Sequence, residues 1–435
     1  MSTTAEVRLW GSRIGAVSLA DGERVAQFAY DPAFARSGIQ VAPLTMPLST
    51  TRIFSFPALN PTSFHGLPGL LADALPDKYG NTLIDAWLAT QGRTPGSFNA
   101  VERLCYTGTR GMGALEFAPV HGPRVRSAQR IQIDALVALA SEVLSHRDDL
   151  RRSFGHEARA DALRDILRVG TSAGGARAKA VIAWNQDSGE VRSGQAAAAP
   201  GFSYWLLKFD GVHNNRDKEL ADPKGYGVVE YAYFQMARAA GIQISDCRLL
   251  EEGGRRHFMT RRFDRSDDGS KQHMQSLAAI AHADFNDPTA GSYEHALLVM
   301  RQLRLPMAQR EEQYRRMVFN VIARNQDDHV KNIAYLMDRD GQWSLSPAFD
   351  ITWAYNPDGD WTARHQMAIN GKREGIDLAD LAACAATASI NARRARDIVE
   401  QVRQSVLQWP RFADEAGVAM VWREQIGRSL RTALR

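Results

Sequence analysis

The stretch Asn325-Gln326-Asp327-Asp328-His329-Val330-Lys331-Asn332 constrains this chain more than any other. An apolar helical run, Met317-Val318-Phe319-Asn320-Val321-Ile322-Ala323, leads into it. Two strand-like runs follow, Ile333-Ala334-Tyr335-Leu336-Met337 and Trp343-Ser344-Leu345. Asp340-Gly341 between them is a hairpin signal, because both residues tolerate the positive φ of a tight turn. The second run leads into Ser346-Pro347-Ala348-Phe349-Asp350-Ile351. A helix therefore delivers a polar loop, a hairpin returns, and a further acid stands behind it. A plain loop would use the same residue types, since Asp and Asn are common turn formers. The loop alone does not separate that reading from a functional one; Asp350 and the features below favour function.

The residue types suit phosphoryl transfer. An acid, an amide five positions on, a hairpin and another acid is the order protein kinases use. There a loop Asp accepts the substrate hydroxyl proton, and the Asn and the later Asp bind Mg²⁺. Mg²⁺ takes hard oxygen ligands, and an uncharged amide beside a carboxylate leaves negative charge for the phosphates to supply. By this order Asp327 is the candidate base and Asn332 and Asp350 the candidate metal ligands.

At 435 residues the chain is expected to form two or three units. Its 44% apolar content supports a sizeable core, and 23% charge argues against wholesale disorder. A net charge of +4 and a pI of about 9.0 permit an acidic partner without demanding one. Cys105, Cys247 and Cys384 are isolated and fit neither a disulfide framework nor a zinc site, so a cytoplasmic setting is expected. The opening residues are polar and lack a secretory core. No apolar run of about 18 residues is present, so no membrane association is expected.

Val7–Trp10, Ile14–Leu19 and Val25–Tyr30 read as strands, followed by a Pro-rich extended stretch. Leu67–Leu75 and Tyr79–Thr90 read as helices, the second with Leu83, Ile84, Trp87 and Leu88 on one face. Gly108 to Leu115 is a glycine-rich turn, a weak phosphate signal because turns use glycine for positive φ anyway. Gln129–Leu144 reads as another helix. Gly170-Thr171-Ser172-Ala173-Gly174-Gly175-Ala176-Arg177-Ala178-Lys179 then runs into a β-like segment. Such a loop exposes successive N–H groups that can cradle phosphate oxygens, although it lacks the P-loop pattern. Ser172, Ala173, Gly174, Gly175, Ala176, Arg177 and Lys179 are therefore candidate phosphate contacts.

Tyr204-Trp205-Leu206-Leu207-Lys208-Phe209 is an apolar strand carrying one Lys. Lys208 either snorkels to the surface or points its ammonium at an anion. Kinases pair such a strand Lys with the phosphates and with a helix Glu; Glu230, opening a helix over Tyr231–Ala240, is the candidate. His257 to Arg265 reads as a strand leaving into a linker, which puts Phe263 near an adenine. From about residue 276 onward the pattern is mostly helical, with amphipathic helices over Ile390–Leu407 and Val418–Leu434.

Together these segments resemble the HipA family, the kinase toxins of type II toxin–antitoxin modules. The likeness spans essentially the whole chain. It includes Tyr30-Asp31-Pro32, Pro43 to Leu48, Leu75-Pro76-Asp77, Gly111-Met112-Gly113-Ala114-Leu115, Arg262-Phe263-Asp264-Arg265 and the D-x-H-x-K-N run from Asp327 to Asn332. The resemblance implies an α+β, protein-kinase-like bilobal fold. It has a mixed α/β N-terminal lobe, an added small N-terminal subdomain and a mainly helical C-terminal lobe. The expected divisions are residues 1–125, 126–268 and 269–435. It implies ATP and Mg²⁺ as cofactors, autophosphorylation on Ser172, and a translation component such as an aminoacyl-tRNA synthetase as protein substrate. It also implies a small helix-turn-helix antitoxin (HipB-like) through which DNA is reached indirectly.

Two positions depart from the family pattern. Asp328 stands where a small residue is common, so either neighbouring carboxylate is a candidate base. Arg177-Ala178 replaces more polar loop residues. His329 is expected to support the loop by hydrogen bonding, and Lys331 either steadies the γ-phosphate or faces solvent. Two other functions compete with the active protein kinase: a catalytically quiet corepressor acting with a DNA-binding antitoxin, and a small-molecule phosphotransferase.

Overall fold

The structure, a computed structural model, describes residues 2–122, 128, 130–145, 177–212, 216–217, 220–221 and 225–434. The N-terminal part is an antiparallel sheet of β1 (Ser2–Leu9), β2 (Ser12–Ala20), β3 (Gln27–Tyr30), β4 (Ile53–Phe54) and β5 (Leu115–Ala118), in the order β4-β3-β2-β1-β5. Leu9 pairs with Ser12, so Trp10 and Gly11 form a two-residue turn, with φ of 50° and 81°. Two positive φ values match the right-handed twist of the strands they join. Ala5, Val7 and Leu9 alternate into a core shared with Phe28, Leu70 and Phe117.

The helix Lys78–Thr90 leaves that part and packs elsewhere. Tyr79, Leu83, Ile84 and Leu88 are buried with Ile133 and Val137 of the helix Ile133–Ser145 and with Ala180, Ile182, Trp205 and Leu207 of a second sheet. This sheet contains β6 (Lys179–Trp184), β7 (Val191–Ser193) and β8 (Ser203–Lys208). After a small ribbon of β9 (Arg216–Asp217) and β10 (Leu220–Ala221), it is completed by β11 (Cys247–Glu252) and β12 (Arg255–Arg261). Its order is β11-β12-β8-β6-β7, antiparallel throughout.

The helix carrying Glu230 covers Tyr226–Ala239, one turn earlier than the sequence suggests. Gly225, with φ of 90°, admits the entry that Tyr231 was expected to make. A large core then joins this helix to Tyr293–Gln302, Met307–Ile322, Leu378–Thr387, Ala392–Val406 and Trp409–Ala416. The last helix is Met420–Ser429, shorter than its apolar pattern. The expected helix over Leu67–Leu75 is likewise only the turn Gly69–Ala72.

The hairpin after the acidic loop forms as expected. β14 (Ala334–Met337) pairs with β15 (Trp343–Leu345), and Gly341 takes φ of 80° in the turn. Sequence did not reveal its third strand, β13 (His273–Ser276), which pairs with β14. β13 also ties the N-terminal part to the helical part. The Gly113 N–H donates to Asp264 Oδ2 at 2.7 Å, and a Cβ on Gly113 would meet Met274 N at 3.0 Å. The Gly108–Leu115 turn thus seats against the buried Arg262–Asp264 pair.

Candidate active site

Lys208 closes β8, and the helix Tyr226–Ala239 lays Glu230 against it. Lys208 Nζ donates to Glu230 Oε1 at 2.6 Å and also donates to Asp350 Oδ1. Glu230 is 2% exposed. Burial works against the Lys208 charge, but Asp350 and Glu230 outweigh it and raise its pKa. Burial likewise raises Glu230, with Lys208 opposing. Asp350 is the reverse case: desolvation would raise it, but Lys208 first and then Lys179 hold its carboxyl well below the usual range. Asp350 also sits at φ of 56°, a region that costs a non-glycine residue of order 1 kcal/mol or more, least for Asp and Asn. Ionic contact with Lys208 accompanies that conformation.

The acidic loop begins where the helix Met307–Ile322 ends. Gln326 N–H donates to Ala354 O at 3.0 Å, which fixes the loop beside the Asp350 segment. Asn332 ends a short 3₁₀ turn, and its Nδ2 donates to Asp327 O at 2.9 Å. The donor half of the amide is thus engaged with backbone, and its oxygen is the half suited to a hard cation. Asn332 and Asp350 offer oxygens of the kind Mg²⁺ takes, while no group of three or more His, Cys, Asp or Glu side chains that could hold a metal ion is found among the described residues.

The two neighbouring carboxylates differ. Asp328 is 3% exposed. It accepts hydrogen bonds from Tyr293 OH at 2.8 Å and the Gln366 N–H at 2.7 Å, and pairs with His365 Nδ1 at 2.8 Å. Burial would raise its pKa; His365, Tyr293 and Gln366 outweigh burial and hold it below the ordinary value. Asp327 is half-buried, and its Oδ1 accepts the Trp361 indole N–H at 2.6 Å.

The remaining expected residues fall as follows. Lys179 begins β6 directly opposite Lys208 on β8 and is buried. Arg177 places its guanidinium 4.5 Å from the centre of the Tyr226 ring. Phe263 packs on Phe349, the neighbour of Asp350, with ring centres 5.6 Å apart. Lys331 lies 4.0 Å from the Phe285 ring centre. His329 Nδ1 is buried and makes no hydrogen bond among the described residues, while the His329 carbonyl accepts from the Asn332 N–H within the loop. Ser172, Ala173, Gly174, Gly175 and Ala176 lie outside the described residues. Sequence reasoning missed Trp361, Tyr293, His365 and Gln366. No local signal marks them, because they lie far along the chain from the loop they contact.

A sheet-bearing lobe with a Lys–Glu pair, set over a helical lobe with an acidic loop and hairpin, is the protein-kinase-like bilobal architecture. Residues 5–118 match the HipA N-terminal domain, and residues 171–409 match the HipA-like C-terminal domain. The chain belongs to the HipA family. No curated protein sequence matches it. Among solved structures, HipA of Shewanella oneidensis MR-1, determined with HipB and its operator DNA, superposes with a TM-score of 0.67. The two are 17% identical, over 98% of this chain and 96% of the other. The Helicobacter pylori proinflammatory kinase CtkA overlaps with 52% of this chain and 84% of its own, at 10% identity and a TM-score of 0.35. No helix among the described residues is long and apolar enough to cross a membrane.

Proposed function

We propose that this protein is an ATP- and Mg²⁺-dependent serine/threonine protein kinase and the toxin of a toxin–antitoxin pair. The observation that carries the reading is Lys208, held at once by Glu230 and by Asp350, the acid that follows the hairpin. An ammonium so placed is oriented for the phosphates of a nucleotide. Asn332 and Asp350 would hold Mg²⁺, which neutralises charge developing on the transferred phosphoryl group. Asp327 is the base that orients and deprotonates the attacking hydroxyl, and Trp361 fixes its carboxylate. Asp328 is spent on Tyr293, His365 and Gln366 and serves the architecture. Phe263 borders the adenine, Lys179 is directed at the phosphates, and Ser172 to Ala176 are assigned to the phosphates on their sequence alone.

Family membership supports a translation component, such as an aminoacyl-tRNA synthetase, as substrate, and Ser172 as a site of autophosphorylation. The Shewanella structure, with HipB and operator DNA, supports a small helix-turn-helix antitoxin as partner and DNA contact through it. The test is γ-labelled ATP with the purified protein alone and then with a cell lysate, alongside Asp327→Ala. Label in protein that depends on Asp327 is the expected result. No turnover by the wild type would turn the reading to a quiet corepressor, and label in small metabolites to a small-molecule phosphotransferase.

A further inference from the structure

The kinase-type lysine has a twin on the next strand. Lys179 and Lys208 are Cα partners on β6 and β8, so their side chains stand on the same face of the sheet. Like charges directly opposed repel, more so where water is excluded. Lys208 is compensated by Glu230 and Asp350. Lys179 pairs with an acid of the N-terminal part. Its Nζ lies 3.7 Å from Asp77 Oδ2, and both side chains are buried.

Asp77 belongs to the N-terminal part, at the start of the helix Lys78–Thr90. Its Oδ1 caps that helix by accepting the Gly80 N–H at 2.6 Å. Its Oδ2 is buried and accepts no hydrogen bond among the described residues. A helix cap needs only one oxygen and no charge, as Ser or Asn in the same position shows. The second oxygen is therefore surplus to the cap, and Lys179 is the cation beside it. Burial raises the Asp77 pKa to about 6, with Lys179 the largest opposing influence. Lys179 in turn helps hold down Asp350. The signs alternate along one chain of groups: Asp77, Lys179, Asp350, Lys208, Glu230.

We propose that the N-terminal part completes the nucleotide site through Asp77, a positioning residue whose buried carboxylate holds Lys179 beside Lys208 as a second phosphate-directed ammonium. The inference rests on the kinase reading above. Removing the carboxylate charge takes one counter-charge from a buried ammonium that stands opposite another. Such a group loses its proton or swings away, and the phosphates lose a partner.

The experiment uses the full chain with Mg²⁺ and measures affinity for ATP and for adenosine, which lacks phosphates. Asp77→Asn and Asp77→Ser both keep a capping oxygen, and thermal unfolding checks that each folds. Both are expected to weaken ATP binding about tenfold while leaving adenosine affinity unchanged. Asp77→Glu should recover part of the loss. Lys179→Met should weaken ATP similarly, and adding Asp77→Asn to it should cost nothing more. ATP binding by Asp77→Asn that equals or exceeds wild type, an equal loss for adenosine, or additive losses in the double variant would each overturn the proposal. Wild type that binds Mg²⁺–ATP with no response to Asp77 defeats this inference alone. Wild type that binds no nucleotide defeats the kinase reading and this inference with it.

Discussion

Asp327 and Asp328 are adjacent in the chain and opposite in situation: Asp328 is buried and contacted by three groups, whereas half-buried Asp327 has the Trp361 indole on Oδ1. Trp361, His365 and Gln366 come from one segment, within which Gln366 Nε2 also donates to the Trp361 carbonyl, whereas Tyr293 comes from the helix Tyr293–Gln302. The segment 361–366 thus reads the two carboxylates separately, anchoring on one and touching the other.

Asp327→Ala is expected to fold normally and to lose phosphoryl transfer by about 10²–10⁴-fold, the usual contribution of a positioned base. ATP affinity should persist. A turnover assay beside a nucleotide-binding isotherm checks both, and transfer within threefold of wild type would remove Asp327 from the chemistry.

Asp328→Ala should instead act on stability, by about 3 kcal/mol, since it strips a buried hydrogen-bonded cluster of its acceptor. The sign with pH follows from the depressed pKa of Asp328. Its contribution is complete above the unfolded carboxylate value and disappears as pH falls through the lower folded one. Acid unfolding of wild type should therefore lose stability in that window, and Asp328→Asn should show a shallower acid limb. Superimposable acid limbs would show that the carboxylate charge is immaterial.

Trp361→Phe keeps an aromatic ring, smaller than the indole, and removes the N–H that reaches Asp327. The expected outcome is a fall of several-fold in kcat with little change in the KM for ATP, as for a group acting on the transition state alone. Steady-state kinetics at varied ATP decide it. A change in the KM for ATP with kcat intact would place Trp361 with the nucleotide instead.

Lys208→Ala should weaken ATP and slow transfer together, because an ammonium at the phosphates acts in both ground and transition states. Asp350→Ala should abolish transfer even at high Mg²⁺. Unchanged nucleotide affinity in the Lys208 variant would count against the phosphate role, and near-normal turnover in the Asp350 variant against the metal role.

Ser172 is tested by intact mass and peptide mapping after incubation with Mg²⁺–ATP. One added phosphate on Ser172 in wild type, none in Asp327→Ala, and loss of ATP binding in the modified form are expected. A phosphoserine brings about −1.5 to −2 charge, which would repel the phosphates of a nucleotide bound beside it. An unmodified loop in an active kinase would end the idea.

By itself the sequence determined what depends on residue type at short spacing. The loop from Asp327 to Asn332, the Asp340-Gly341 hairpin and the lone Lys208 in an apolar strand could be read because turn chemistry and side-chain period act over a few residues. Helix ends were less legible: Tyr226 rather than Tyr231 opens the Glu230 helix because Gly225 takes a positive φ that periodicity does not register. Only the tertiary structure decided what each acid meets. Trp361 meets Asp327 across 34 residues, His365 meets Asp328 across 37, and Lys208 meets Asp350 across 142. Burial and long-range pairing separate a carboxylate enclosed by hydrogen-bond partners from one left partly exposed, and they exist only once the sheet, the helices and the N-terminal part have closed on each other.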